Sequence, residues 1–481
     1  MKQNKVIPNK RYFFLVCFIA AIGGFLFGFD TAVISGVLGF VSKDFHFSLF
    51  MEGWFVSSAL LGCVIGVAAA GKLSDRFGRK KIMLMSASLF FISALGCMLA
   101  NNSGLLILFR LIGGLGIGVA SMICPLYIAE FSPSHFRGRM VALYQLAITL
   151  GIVAAYFTNA YLVNLSIHNN FTGLLHWIVT VDVWRSMIGI GMIPAFFFLF
   201  LLFLVPESPR WLVMNGKEIE AIKHLQKVTT KGAAIDEVKE IKESMKGETG
   251  SLKELFSPVY RVALIIGLAL PFLSQVSGIN AIIYFGPAIL DKAGFSLGDA
   301  LGGQVTIGII NVLFTFVAIF TVDRWGRKPL LLLGISGAVL SLLILGFLFK
   351  LNVLEGPWIL IFILLFIACF AFSFGPVSWI IISEIFPTSI RGRAMSLATL
   401  SLWVANFFVG QLTPLMLKSN HWGPAATFWT FAVLCAPGLW LTWKLIPETK
   451  GKTLEDIEKF WKGANSKKTT MIRDKSVREV P

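Results

Sequence analysis

Long apolar runs, separated by short charged connections, repeat along the whole chain. Runs near 12–36, 53–72, 82–101, 104–129, 140–163, 186–205, 260–290, 301–322, 330–349, 357–386, 393–417 and 425–446 each hold the roughly 20 residues a helix needs to cross a bilayer. Twelve membrane-spanning helices are predicted, and an even number returns the C-terminus to the side of the N-terminus. The longest internal polar stretch, 207–258, carries nine basic and nine acidic residues. Its EIEAIKHLQKV and IDEVKEIKESM set apolar residues at helical spacing between charges, which predicts short solvated helices. The stretch divides the chain into a six-helix bundle at 1–206, linker helices at 207–258, a second six-helix bundle at 259–446 and a tail at 447–481. Within the tail, KTLEDIEKFW (452–461) reads as an amphipathic helix and the last dozen residues as a disordered basic end.

Composition excludes the soluble alternative. Of 481 residues, 56% are hydrophobic and only 14% charged, against about a quarter in soluble domains. Mean hydropathy is +0.77. The net charge of +16 raises the question of nucleic acid, but its distribution answers it. Assigned to sides, 36 of the 42 Lys and Arg fall with the termini, five (Lys43, Arg185, Lys292, Lys350, Lys418) fall opposite, and Arg110 lies within a span. That asymmetry is the positive-inside rule, so a multi-pass protein of the cell (plasma or inner) membrane with both termini cytoplasmic is expected, with no nucleic-acid partner. The first run follows Lys10 and Arg11 as a signal peptide would, yet it is too long and lacks a small-residue cleavage site. All six Cys lie in apolar runs without metal-ligand spacing, so packing roles are expected, with no metal and no cofactor. HExxH is absent, and no span pairs a nucleophile with a base, which argues against an enzyme.

The charged connections repeat. GKLSDRFGRK (71–80) returns as DRWGRKP (323–329), EFSPSHFRGR (130–139) as EIFPTSIRGR (384–393), and PESPRWL (206–212) as PETKGKTLE (447–455). Three motifs in one order at equivalent span ends indicate a six-span unit used twice in the same orientation, the plan of alternating-access carriers. Asp75, Arg79, Glu130, Arg139, Arg327, Glu384 and Arg393 lie at cytoplasmic span ends. The expectation is that they form salt bridges between the halves that hold this side closed; topological anchoring is the plainer use of the same charges.

Two ionisable residues remain inside spans: Asp30 in GGFLFGFDTAVISG (23–36) and Arg110 in LLILFRLIGGLGIG (105–118). An ionised side chain at a helix centre costs roughly 2.5–3.5 kcal/mol, and such residues mark ion and proton paths. Opposite signs in one half predict a pair. Arg110 favours ionised Asp30, and protonation would break the pair and ease rearrangement of a loaded carrier. A permanent salt bridge between spans 1 and 4 is the structural alternative.

Together with SQVSGINAIIYFGP (274–287) and GPVSWIIISEIFP (375–387), these motifs resemble the sugar porter family of the major facilitator superfamily over essentially the whole chain. The set is most similar to bacterial proton-coupled monosaccharide symporters of the D-xylose–proton type and to the facilitative glucose transporters of animals. The resemblance implies an all-α fold of two six-helix bundles and a monosaccharide site at mid-membrane between them. Gln145, Gln275, Asn280, Tyr284, Asn311, Trp379 and Trp403 fall on its sugar-contacting positions, and Phe27 on a flanking aromatic. It also implies proton coupling, since proton symporters carry Asp where Asp30 stands.

Amides donate to and accept from sugar hydroxyls, and an indole packs on the C–H face. Gln275 and Asn280 are five apart, about 140° on a regular helix, but SGIN and the later GP predict a broken span. Two positions depart from the family: Ser274 replaces the first of a Gln pair, and Leu402 replaces an amide before Trp403. Each removes a donor, so pentose and hexose both stay open. The expected partners are the sugar, protons and lipid, for a monomer. The competing functions are a uniporter with a structural Asp30–Arg110 bridge and a non-transporting sensor, against which the short tail argues.

Overall fold

A computed structural model describes residues 9–132, 137–169, 171–173, 176–247, 252–354, 356–452, 457, 460 and 461. Among these, regular structure is helical throughout. Twelve helical segments are long and apolar enough to cross a membrane. Numbered as spans, they are Lys10–Asp44, Leu49–Phe77, Arg79–Leu99, Ser103–Phe131, Met140–His168 and Val183–Leu204, then Arg261–Lys292, Leu297–Trp325, Arg327–Lys350, Trp358–Ile385, Ile390–Leu417 and Gly423–Lys444. Each coincides with a predicted apolar run. The first differs most, its helix continuing to Asp44 through a stretch that still buries Val37, Leu38 and Val41.

The packing repeats as the motifs do. Spans 1 and 5 pack together, as do spans 7 and 11; the halves meet where span 2 lies on span 11 and span 5 on span 8. Exchanging the halves exchanges these two contacts. Within the first half, spans 2 and 4 approach backbone to backbone, so that a Cβ on Gly114 would sit 1.9 Å from the Ala59 carbonyl oxygen. Helices in lipid gain nothing from hiding apolar surface from one another, and such small-residue seams hold them together. All six cysteines are free and buried in the packing.

Between the bundles, helices Pro209–Met214, Glu218–Leu225 and Lys231–Gly247 bury a small core of Leu212, Val213, Ala221, Leu225, Ala234 and Val238. In the tail, Ile457 and Trp461 are buried, and Trp461 Nε1 donates to the Ile385 carbonyl at 2.9 Å. Most of KTLEDIEKFW and the basic end lie outside the described residues.

Span 7 is broken as predicted, at SGIN and not at the later GP. Helix Arg261–Val276 ends at Ser277, and Gly278 adopts φ 88° before helix Ile279–Lys292, which runs through Gly286 and Pro287 without a break. A proline one turn or more into a helix forfeits one hydrogen bond, and the helix continues through Pro287 despite that loss. At Gly278 the backbone is left-handed and a Cβ would also lie 2.5 Å from the Phe431 ring. Gly278→Ala is therefore expected to lower the stability of the detergent-solubilised protein by about 1–3 kcal/mol, read from thermal unfolding.

Candidate functional site

Span 1 carries Asp30 and span 4 carries Arg110, and the two meet. Arg110 Nη1 donates to Asp30 Oδ1 at 2.8 Å, with 4% and 17% of the respective side chains exposed. The second carboxylate oxygen and Arg110 Nε are buried without hydrogen-bond partners. A cavity of about 20 Å³, lined by Asp30, Phe29, Val33, Phe90 and Ala94 among others, adjoins the acid. Its size suits one water. The pair is thus incompletely satisfied, unlike a bidentate bridge, and each ion keeps a polar atom free in an apolar wall.

The break at Gly278 answers the spacing question in span 7. With the helix interrupted, Asn280 Nδ2 reaches Gln275 Oε1 at 2.5 Å, Gln275 Nε2 donates to Ser274 Oγ at 3.1 Å, and Ser274 donates to the Pro271 carbonyl at 2.7 Å. Ser274, standing where a second amide was expected, accepts from the amide that remains. Trp403 of span 11 is 1% exposed, and its Nε1 has no hydrogen-bond partner within the protein. Across the divide between halves, the Phe27 ring stands 5.3 Å from the Trp403 ring.

Tyr284 is buried, and its hydroxyl pairs with Asn406, 2.9 Å from Nδ2 and 3.2 Å from Oδ1. Asn406 lies one turn beyond Trp403 on the same span and was not singled out; that one-turn spacing was the available signal. Asn311 is buried in span 8, and Gln145 and Trp379 are half-buried in spans 5 and 10. Tyr156 adds a contact between halves, its hydroxyl donating to the Ile283 carbonyl at 3.2 Å.

The charged loops form two copies of one network, and this corrects the expectation of bridges between halves. Arg79 Nε and Nη2 donate to Glu130 at 3.0 and 3.1 Å, and Nη1 to Asp75 at 3.0 Å. Arg327 grips Glu384 at 3.2 and 2.9 Å and Asp323 at 3.1 Å. Each set stays within its own half. The physical reason is local: each arginine opens a span, and its guanidinium reaches carboxylates at the adjoining ends of two other spans in the same bundle. Arg393 is exposed, and the Arg139 side chain lies outside the described residues.

Sequence reading missed the acids that complete the networks, although the PES and PET echo contained them. Glu207 accepts from the backbone of Arg79, Lys80 and Ser208 at 2.9, 3.2 and 2.8 Å. Glu448 accepts from Arg327, Lys328 and Lys450 at 3.1, 3.0 and 2.9 Å. Each thereby caps the start of a span, where N–H groups lack helical partners and the dipole favours an anion. Ser208 and Thr449 hydroxyls reach Glu130 and Glu384, both at 2.5 Å. The two caps differ in charge balance. Burial dominates at Glu207 and pushes its carboxyl up. At Glu448 burial also works upward but is outweighed by the backbone donors, which pull the carboxyl down.

Known proteins match the chain over nearly its full length. The chain is 42% identical over 454 residues to an arabinose-proton symporter of Bacillus subtilis, covering 94% of this chain and 96% of that one. It is 37% identical over 491 residues to a D-xylose-proton symporter of Escherichia coli, covering 95% and 98%. A solved structure of the E. coli xylose transporter XylE, in a partially occluded inward-open conformation, superposes with a TM-score of 0.80 at 37% identity, covering 92% of this chain and 99% of that one. A family model described as "Sugar (and other) transporter" matches residues 16–461, and the chain belongs to that sugar transporter family of the major facilitator superfamily.

Proposed function

We propose that the protein carries a monosaccharide, a pentose or a hexose, across the cell membrane together with protons, by alternating access between halves 1–206 and 259–446. The single observation that carries the proton half of this reading is the Asp30–Arg110 contact of 2.8 Å with one carboxylate oxygen left unpaired. Asp30 takes a proton, Arg110 loses its counter-charge, and the neutral acid lets span 1 move against span 4. Return of the empty carrier follows proton release, when the pair re-forms. The names of the relatives, symporters of arabinose, xylose and galactose with protons, support the same reading.

The sugar binds between Phe27 and Gln145 of the first half and Gln275, Asn280, Tyr284, Asn311, Trp379 and Trp403 of the second. The Trp403 N–H is a donor free for a sugar hydroxyl, and the Gln275–Asn280 contact exchanges for sugar contacts when the site fills. Tyr284, held by Asn406, closes the site from one side. The Arg79 and Arg327 networks act as rigid end-plates of the two halves, with the exposed Arg393 placed to meet a partner as the halves rock. The excess of Lys and Arg on the side of the termini supports a cytoplasmic location for both. The protein works as a monomer.

Uptake of labelled pentoses and hexoses in a transport-null host, with and without uncoupler, tests this reading. Concentrative, uncoupler-sensitive uptake of at least one is expected, and uptake that merely equilibrates every sugar would defeat it. For the sugar that is taken up, Asn280→Ala is expected to raise the half-saturating concentration about tenfold or more, because it removes an amide and leaves the Gln275 Oε1 oxygen unpaired. Kinetics unchanged by that substitution would remove Asn280 from the site.

A further inference from the structure

The end of the bundle opposite the Arg79 and Arg327 networks is shut by polar contacts that no motif foretold. Glu52, in the first turn of span 2, keeps only 7% of its side chain exposed. Lys418, immediately after span 11, places Nζ 2.8 Å from Glu52 Oε1 and 2.9 Å from Oε2. Ser42 of span 1 donates to the same carboxylate at 2.7 Å. Further along the seam, Ser57 donates to Gln411 Oε1 at 2.6 Å, and Gln411 Nε2 donates to the Phe50 carbonyl at 3.2 Å. The backbones are close here, since a Cβ on Gly53 would sit 2.4 Å from the Gln411 carbonyl oxygen.

We propose that Glu52 and Lys418 form a charged clasp that holds this end of the transporter closed and must release in every cycle to admit sugar. The proposal rests on the alternating-access reading above. Spans 2 and 11 belong to different halves, so the Glu52–Lys418, Ser57–Gln411 and Gln411–Phe50 contacts break when the halves separate at this end, while Ser42 stays with Glu52 in the first half. The carboxylate is nearly desolvated while the clasp is shut, and an unpaired acid there would be costly; once open, water solvates both ions. The bias is therefore moderate by construction, because Lys418 keeps 40% of its side chain exposed. The clasp also touches the two helices that carry the site. Ser42 lies on span 1, twelve residues beyond Asp30, and Gln411 lies on span 11, eight beyond Trp403. Movement of span 1 on protonation, or of span 11 on sugar binding, bears directly on it.

Spin-label distance measurements on the full chain in nanodiscs test the clasp independently of any sugar. Labels at Asn101→Cys, between spans 3 and 4, and Leu351→Cys, after span 9, report the separation of the halves at this end; both positions are exposed, and the six native cysteines are buried. Glu52→Gln is expected to raise the ratio of long to short distances about tenfold. Lys418→Ala, at a half-exposed position, should do the same and keeps the test available if the buried substitution impairs folding. The exchange Glu52→Lys with Lys418→Glu is expected to return the distribution toward that of the unsubstituted chain, which loss of packing alone would not allow. Distances unchanged in both single variants, or an exchange as open as either of them, would overturn the clasp. Failure of the transport reading leaves these distances as they are and shows instead as absent uptake.

Discussion

Asp30→Asn is expected to abolish uphill uptake while sugar counterflow survives. Asparagine keeps the size of the side chain and an oxygen that accepts from Arg110 Nη1 across the present 2.8 Å, so packing of span 1 against span 4 is kept. What it loses is the ability to carry a proton. One proton moving through 100 mV supplies about 2.3 kcal/mol, which corresponds to roughly 40-fold accumulation at 1.4 kcal/mol per decade. The variant should fall from that range to simple equilibration, whereas exchange of labelled for unlabelled sugar, which needs no net proton movement, should continue. Uptake by the variant that remains concentrative and uncoupler-sensitive would remove Asp30 from the role. Loss of counterflow along with accumulation would instead point to a bridge needed for the fold.

The second large effect falls on stability, at the loop networks. Arg79 and Glu130 each expose 4% of their side chains, and the guanidinium also satisfies Asp75 and the Ser74 carbonyl. Arg79→Ala leaves a buried carboxylate without its counter-ion and is expected to cost about 3–5 kcal/mol. Arg327 makes the same contacts with more water near them, at 11% exposure beside a 27% exposed Glu384. Arg327→Ala should therefore cost less, about 1–2 kcal/mol after solvent screening. Thermal unfolding of the purified variants, followed by tryptophan fluorescence, compares them. Equal losses at the two sites would show that burial does not set the strength of these networks.

The sequence made some of this legible and hid the rest for a physical reason. Spans, halves and the duplicated loops follow from local patterning, because crossing a bilayer forces long apolar runs and topology forces charges to their ends. Asp30 and Arg110 stood out for the same reason, being costly where they lie. Partner choice is another matter. The loop arginines advertise salt bridges but not their direction, and only the fold shows that Arg79 and Arg327 turn inward to their own bundles. Asn406 finds Tyr284 from 122 residues away, and Glu52 finds Lys418 from 366. At a span end each of these last two charges reads as ordinary topology, and only the meeting of spans 2 and 11 makes them a pair. Gln275 and Asn280 show the converse: a five-residue spacing that a regular helix would splay apart becomes a contact once Gly278 breaks span 7.

The proposed coupling moves sugar and proton together through Asp30. It is tested most directly by adding the transported sugar to lightly buffered, de-energised cells expressing the protein and recording external pH. Alkalinisation that begins with sugar addition, disappears with uncoupler and is absent in cells expressing Asp30→Asn is the expected result. Sugar entry at an undiminished rate with no change in external pH would contradict it.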